Sequence, residues 1–189
     1  MKLFSRMRGT PASGVATLQC RAAELEQALA ALSIKPTFIN AYVSPHLDID
    51  QVARAVTRRF PGVPIMLCST AGELCSAGEG LYCGTGDQWD RVVLQCFDAS
   101  LIAQVSVVAV PLGCEDIRRG GVDIPVKERV ARITRSIQAL QVGMEIDHRD
   151  TLAYVLFDGL SASESFFMEA LYDSGRFPCL FVGGSAGGK

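Results

Sequence analysis

The feature that most constrains the fold is the alternation of short apolar runs with amphipathic segments. Four segments have helical periodicity, the clearest one placing Val126, Val130, Ile133, Ile137 and Leu140 on one face. The β-branched or aromatic runs between them are typical of buried strands, at residues 37–43, 63–68, 152–157 and 179–182. This alternation favours βαβ units with parallel strands.

The middle of the chain follows a different pattern. Residues 78–110 contain segments 81–83, 91–97 and 104–110, which are joined by turn signals and lack helical spacing. We therefore predict an α/β fold, with a mixed, largely parallel sheet, flanking helices and an antiparallel meander in the middle. Since 189 residues suffice for one substantial core, we expect a single domain over residues 1–189.

The composition excludes several classes of protein. With 49% hydrophobic and 20% charged residues, the chain is globular. Its net charge of −2, from 18 basic and 20 acidic residues, gives no footprint for nucleic acid. No apolar core of a signal peptide follows the basic start, and no run approaches the roughly 18 apolar residues of a membrane span. We expect a cytoplasmic protein that binds neither nucleic acid nor membrane.

The seven cysteines form no Cys-x-x-Cys pair, which speaks against a disulfide framework or a zinc ribbon. Four of them lie in apolar runs and are expected to be small buried hydrophobic residues: Cys20, Cys68, Cys96 and Cys179. The other three lie near Gly-rich turns, where we expect more accessible thiols and where a reactive or metal-binding thiol stays open: Cys75, Cys83 and Cys114.

Small, polar or Gly-rich residues follow each predicted buried strand, at 44–48, 69–73, 158–161 and 183–188. In parallel sheets such loops gather at the carboxyl edge, where open α/β folds bind their ligands. Ordinary βα connections use the same residue types for turns and caps, so that explanation also stays open. We predict a ligand site built from Ser44, His46, Ser69, Thr70, Gly72, Glu73, Asp158, Gly183, Gly184 and Ser185.

Three patterns at these loops resemble capping boxes: Asp48-x-x-Gln51, Thr70-x-x-Glu73 and Ser161-x-x-Glu164. Each predicts the start of a helix. Helix N-termini carry unpaired amides and positive partial charge, which suit a carboxylate or another anion. The pattern therefore favours a small ligand with a negative group.

Catalytic motifs are weak in this sequence. It has two histidines, no Gly-x-Ser-x-Gly elbow and no assignable Ser–His–Asp set, so we expect no catalytic residues and no enzyme. Residues 183–189 match the start of a phosphate-binding loop, but no Ser or Thr follows Lys189 to hold magnesium. A phosphate-handling enzyme is therefore the weaker alternative.

Three stretches resemble the N-terminal half of a FIST domain, a sensory module found with signalling proteins: residues 41–48, 60–74 and 181–187. The most specific element is Ser69-Thr70-Ala71-Gly72-Glu73. The resemblance implies a signal-transduction sensor of amino acids or other small anionic metabolites. It also implies a chain truncated before a C-terminal half.

One branch of this family resembles nitric-oxide-sensing haem proteins that act on histidine kinases and cyclic-di-GMP enzymes. From this resemblance we expect a sensor that binds haem, detects nitric oxide and relays to a histidine kinase or cyclic-di-GMP enzyme of a two-component system. A sensor of amino acids or other small anionic metabolites without haem is the alternative. For the haem iron, His46 is the first candidate axial ligand and Cys75 the second.

Overall fold

The computed structural model of the chain describes residues 14–77, 81–83, 89–121 and 123–187. These residues belong to two compact units, the first ending at Val107 and the second spanning Val108–Gly187. Both units combine strands with helices, which confirms the predicted mixed α/β class. A single domain over residues 1–189 stays a prediction.

The first unit contains a mixed sheet of four strands in the order β1-β6-β2-β3. Its elements in chain order are β1 (Val15–Arg21), a short 3-10 helix (Ala22–Glu24), α1 (Leu25–Ala30), β2 (Pro36–Val43), α2 (Ile49–Arg59), β3 (Ile65–Ser69), β4 (Glu73–Leu74), β5 (Tyr82–Cys83) and β6 (Arg91–Asp98). Strand β6 runs antiparallel to β1 and β2, whereas β2 and β3 are parallel. The predicted βαβ unit from β2 through α2 to β3 is therefore present.

The core of the first unit lies between this sheet and its helices. Ile39, Ala41 and Val43 alternate along β2 and are buried, as a strand with one face on a core requires. Helix α2 buries Val52 and Val56 against the same core. The helix begins after Asp48, whose carboxylate accepts hydrogen bonds from two backbone amides of the first turn at 3.0 and 3.1 Å. The predicted N-cap at Asp48 is therefore confirmed.

The second predicted capping box is wrong, because a hairpin and not a helix follows β3. Gly72 has φ of 151°, which is not helical, and the chain continues into β4, which pairs antiparallel with β5. The hairpin buries Cys75 and Cys83 against Val93 of β6. The expected accessibility of these two thiols is therefore wrong, and Cys114 is buried as well.

The second unit contains α3 (Glu115–Arg118), α4 (Val126–Gln138), β7 (Leu152–Asp158), α5 (Glu164–Ser174) and β8 (Leu180–Ala186). Strands β7 and β8 form a parallel pair. The predicted stripe of α4 is confirmed: Val130, Ile133 and Ile137 are buried in a cluster with Phe167 and Leu171 of α5.

Two further predictions differ from the structure. Residues 104–110 form no strand, and Val107 and Val108 are both exposed, so the β-branched residues here lack a sheet neighbour to pack on. Helix α5 begins at Glu164 after Ser163, so Ser161 is not its N-cap. Residues 84–87, which supply one of the turn signals between segments 81–83 and 91–97, lie outside the described residues. Every helix in the described ranges falls short of the length and apolarity that a bilayer crossing requires.

Candidate functional site

The carboxyl ends of parallel strands occur once in each unit. We define the first edge as residues 44–48 and 69–73, which follow β2 and β3, and the second edge as residues 158–164 and 183–187, at the ends of β7 and β8. The first strand pair belongs to the four-stranded sheet, and the second forms its own two-stranded sheet. One site built from all four loops stays a prediction, and each edge is described here by itself.

Ser44 anchors the first edge to the neighbouring strand. Its side chain is buried, and its Oγ accepts a hydrogen bond from the backbone amide of Arg91 at 3.1 Å. Its own amide donates to the Arg91 carbonyl at 3.0 Å. The Thr70 amide donates to the Val43 carbonyl at 3.0 Å, which ties the second loop to β2. The two loops are therefore held in place by backbone contacts, as a preorganised site requires.

Glu73 is the most distinctive side chain of the first edge. Its side chain is 94% buried, and Thr70 donates a hydrogen bond from Oγ1 to its Oε1. Its Oε2 is buried and has no hydrogen-bond partner among the described residues. Leaving a buried polar atom unpaired is costly, and more so for a carboxylate. A bound donor group would remove that cost.

Three other buried side-chain oxygens share this condition within the described part of the chain, those of Gln19, Asn40 and Ser161. Each of the three belongs to a neutral amide or hydroxyl, which costs less to leave unpaired than a carboxylate. Glu73 is therefore where a ligand donor gains most.

Aromatic rings flank the first edge, and the sequence analysis did not identify them as site residues. A Cβ added at Gly72 would lie 2.9 Å from the Tyr82 hydroxyl, so this ring sits directly over Gly72. The exposed His46 ring stacks on Trp89 with centroids 5.4 Å apart. Trp89 has φ of 45°, a rare conformation for a bulky residue that often marks a functional site. Ser69 ends β3 and is half-buried.

The first edge carries the negative charge of the Glu73 carboxylate. The capping patterns had predicted the positive ends of two helices at the same place. The amides that open α2 are already capped by Asp48, and no helix follows Thr70. Burial, and then the Glu73 carboxylate, raises the pKa of the Cys68 thiol. Burial, the Cys75 thiol and Glu73 raise the pKa of Cys83 to about 11, against a smaller opposing effect of Arg91. The first edge therefore suits a hydrogen-bond donor better than an anion.

The carboxylates of the second edge are satisfied within the chain. Asp158 accepts from Arg118 at 2.5 Å and from the Leu160 amide at 3.0 Å. Glu164 accepts from the Ser185 hydroxyl at 2.6 Å, a bond that lowers the pKa of Glu164. Since Glu164 occupies the first turn of α5, its own charge already complements the helix dipole. The second edge thus offers little to an added anion.

The two glycines of β8 have different surroundings. A Cβ at Gly183 would lie 1.8 Å from the carbonyl oxygen of Val155 in β7, whereas a Cβ at Gly184 would have no heavy atom within 4 Å. Gly183 is therefore required for the close approach of two backbones. This structural role accounts for part of the Gly-rich pattern that resembled a phosphate-binding loop, whose last residues, 188 and 189, lie outside the described ranges.

Metal ligation has no support in the described ranges, where no group of three or more His, Cys, Asp or Glu side chains is arranged to hold an ion. A family model described as FIST N domain matches residues 37–189, a span that contains both edges. No curated protein and no solved structure shows a significant match to the chain.

Proposed function

Because the chain belongs to the FIST family of sensory domains, we propose that it senses a small molecule at the first edge and relays its occupancy to a signalling protein. The observation that carries this proposal is the buried Glu73 carboxylate, whose Oε2 has no partner in the described residues. Thr70 holds the other oxygen, so the carboxylate is fixed in orientation before a ligand arrives. Such preorganisation lowers the entropic cost of binding.

The chemistry of the first edge defines the group that it recognises. A buried carboxylate oxygen accepts hydrogen bonds, and it pairs best with a charged donor such as an ammonium group. Tyr82, whose ring lies over Gly72 of the first edge, offers an aromatic surface there. An amino acid or another small primary amine fits both features. Among the metabolites that the family resemblance implies, we therefore favour those that carry an amino group.

A thermal-shift screen tests this proposal. Amino acids and primary amines are compared with matched carboxylic acids that lack the amino group, at equal concentration. A ligand at 100 times its Kd stabilises the folded protein by about 2.7 kcal/mol, which gives a clear rise in Tm. We expect the rise only with compounds that carry an amino group.

Glu73→Gln should abolish that rise, because the amide side chain loses the charge that pairs with ammonium. Glu164→Gln is the matched control, since Glu164 is satisfied by Ser185 at the second edge. Equal loss of binding in both variants, or equal stabilisation by acids without an amino group, contradicts the proposal.

If the sensor binds haem, His46 is the first candidate for the axial ligand of the iron and Cys75 is the second candidate. In the described arrangement the exposed His46 ring is stacked on Trp89 and Cys75 is buried in the β4–β5 hairpin, so neither side chain adds support for a haem ligand. We therefore favour the version without haem. An absorbance spectrum decides between the two: a Soret band that shifts with nitric oxide and is lost in His46→Ala supports haem.

For the relay, we propose a cytoplasmic histidine kinase or cyclic-di-GMP enzyme as the partner. The expected result is a change in kinase autophosphorylation or cyclic-di-GMP turnover that requires both this protein and its ligand. A phosphate-handling enzyme would instead bind ATP through residues 183–189 and lose that binding in Lys189→Ala.

A further inference from the structure

The β4–β5 hairpin holds two thiols in contact. The register pairs Glu73 with Cys83 and Leu74 with Tyr82, and the Cys75 amide donates to the Leu81 carbonyl at 2.6 Å. Cys75 and Cys83 are therefore diagonal neighbours on the buried face of the hairpin. They share a hydrophobic cluster with Val93, and their side chains are hydrogen-bonded to each other.

The two sulfurs differ in their surroundings. The backbone amide of Ala77 donates to Cys75 Sγ at 3.5 Å. Burial and the neighbouring groups raise the pKa of Cys83 to about 11, so Cys83 keeps its proton at neutral pH. Only a thiolate attacks an oxidant rapidly, and the Ala77 amide that donates to Cys75 Sγ favours negative charge on that sulfur, so we assign Cys75 as the first nucleophile.

We propose that Cys75 and Cys83 form a reversible disulfide when the protein meets a peroxide. Cys75 gives up its proton and attacks one peroxide oxygen; the O–O bond breaks, one water leaves, and Cys75 becomes a sulfenic acid. The Cys83 sulfur then attacks the Cys75 sulfur and displaces hydroxide, which takes the Cys83 proton and leaves as a second water. Two thiols lose two electrons and two protons, and the peroxide is reduced to two waters.

The position of the pair means that the new bond alters the hairpin. Diagonal neighbours in an antiparallel pair have Cα atoms about 7–8 Å apart, whereas disulfides span about 4.4–6.8 Å. Oxidation therefore draws β4 and β5 together. Because Cys83 is paired with Glu73, this shift moves the carboxylate of the first edge. That last step rests on the proposed function, whereas the disulfide itself does not.

The disulfide is tested on the intact wild-type protein. The protein is treated with hydrogen peroxide, free thiols are blocked, and the digest is analysed by mass spectrometry. We expect a peptide that joins Cys75 to Cys83 and disappears after reduction with dithiothreitol. Unlinked Cys75 and Cys83 peptides after peroxide treatment overturn the proposal.

Single substitutions assign the two roles. In Cys83→Ser we expect the reaction to stop at a Cys75 sulfenic acid, which dimedone labels, and in Cys75→Ser we expect no label on Cys83. Cys96→Ser is the matched control, because burial alone raises the pKa of Cys96 to about 11. It should form the same linked peptide as the wild type. Labelling of Cys83 in Cys75→Ser overturns the assigned order.

A ligand measurement separates this inference from the proposed function. If the hairpin controls the first edge, peroxide should lower amino-compound affinity in the wild type at least several-fold and leave it unchanged in Cys83→Ser. A linked peptide together with unchanged affinity removes the coupling but keeps the disulfide. An absence of amine binding in both redox states contradicts the proposed function alone.

Discussion

Strands β2 and β3 and strands β7 and β8 are both parallel pairs that end in small polar residues, yet their carboxylates have opposite environments. Glu73 at the first edge is buried and keeps one oxygen unpaired among the described residues. Glu164 at the second edge is only partly buried and bonded to Ser185. The same kind of loop sequence therefore gives a buried carboxylate oxygen without a partner among the described residues in one unit and an internally satisfied carboxylate in the other.

The difference originates in what surrounds each strand pair. β2 and β3 lie in a four-stranded sheet, and the hairpin that follows β3 packs on the Val93 position of β6. This hairpin carries Glu73 into a buried position. β7 and β8 form a two-stranded sheet, in which Leu180 and Val182 are exposed. Of these two strand pairs, the one whose following loop is covered by a further element carries the buried carboxylate.

The largest expected effect is a loss of stability when the backbones of β7 and β8 are forced apart. Gly183→Ala places a methyl group 1.8 Å from the Val155 carbonyl oxygen, so β8 has to move away from β7. Overpacking of this kind costs about 1–3 kcal/mol, and here we expect the upper end. The free energy of unfolding, measured by urea denaturation, should fall accordingly.

Gly184→Ala is the control for that measurement, because an added Cβ there has no heavy atom within 4 Å. We expect a change within about 0.5 kcal/mol. Similar losses in both variants would show that Gly183 is not where the two backbones approach most closely.

A second prediction concerns the change in the free energy of unfolding when one carboxylate at each edge is replaced by a neutral amide. We expect changes of opposite sign at the two edges. In the ligand-free protein Glu73→Gln removes a buried charge whose Oε2 lacks a partner, so we expect the free energy of unfolding to rise by about 1 kcal/mol. Glu164→Gln weakens a satisfied bond to Ser185 and should lower it slightly. Urea denaturation of both variants without ligand checks this.

A rise for Glu73→Gln together with lost amine binding would identify a site that sacrifices stability for function. A fall in stability would mean instead that Glu73 serves the fold.

The third prediction compares two of the three predicted helix starts. Asp48→Ala removes a carboxylate that accepts two amide hydrogen bonds at the start of α2, which typically costs about 1 kcal/mol. Ser161→Ala removes a buried hydroxyl whose Oγ has no partner among the described residues, so we expect no loss of stability. Thermal unfolding of both variants tests this, and equal losses would mean that Ser161 makes a stabilising contact after all.

The sequence predicted those features that depend on local periodicity and local hydrogen bonding. The helical stripe of Val130, Ile133 and Ile137 and the N-cap at Asp48 are both confirmed, because each is determined within one or two turns of chain. Apart from the parallel pairing of β2 with β3 and of β7 with β8, features that depend on distant partners were not predicted. Strand β1 was missed, and Thr70 was assigned to a helix start although the chain after it pairs with β5.

For the candidate site, too, the sequence predicted the local features and missed those that depend on distant partners. Its loops were predicted from turn residues, since small and polar residues mark strand ends whatever surrounds them. The burial of Glu73 and the contact between Cys75 and Cys83 depend on the hairpin and on β6, which no local pattern encodes. The sequence predicted a positive charge at the first edge, because two helices were expected to begin there. The N-terminus of α2 is already capped by Asp48, and no helix follows Thr70, so the charge there is negative instead.

The smallest expected effect is a titration at the second edge. The Ser185 hydroxyl lowers the pKa of Glu164, so this bond stabilises the folded protein above the ordinary carboxyl pKa of about 4, and the stabilisation is lost as pH falls through the lower folded value. In Ser185→Ala we expect the pKa of Glu164 to rise toward its ordinary value, as followed by NMR titration of the carboxyl carbon. An unshifted Glu164 titration would mean that the helix dipole and not Ser185 satisfies this carboxylate, and the contrast between the two edges would then rest on burial alone.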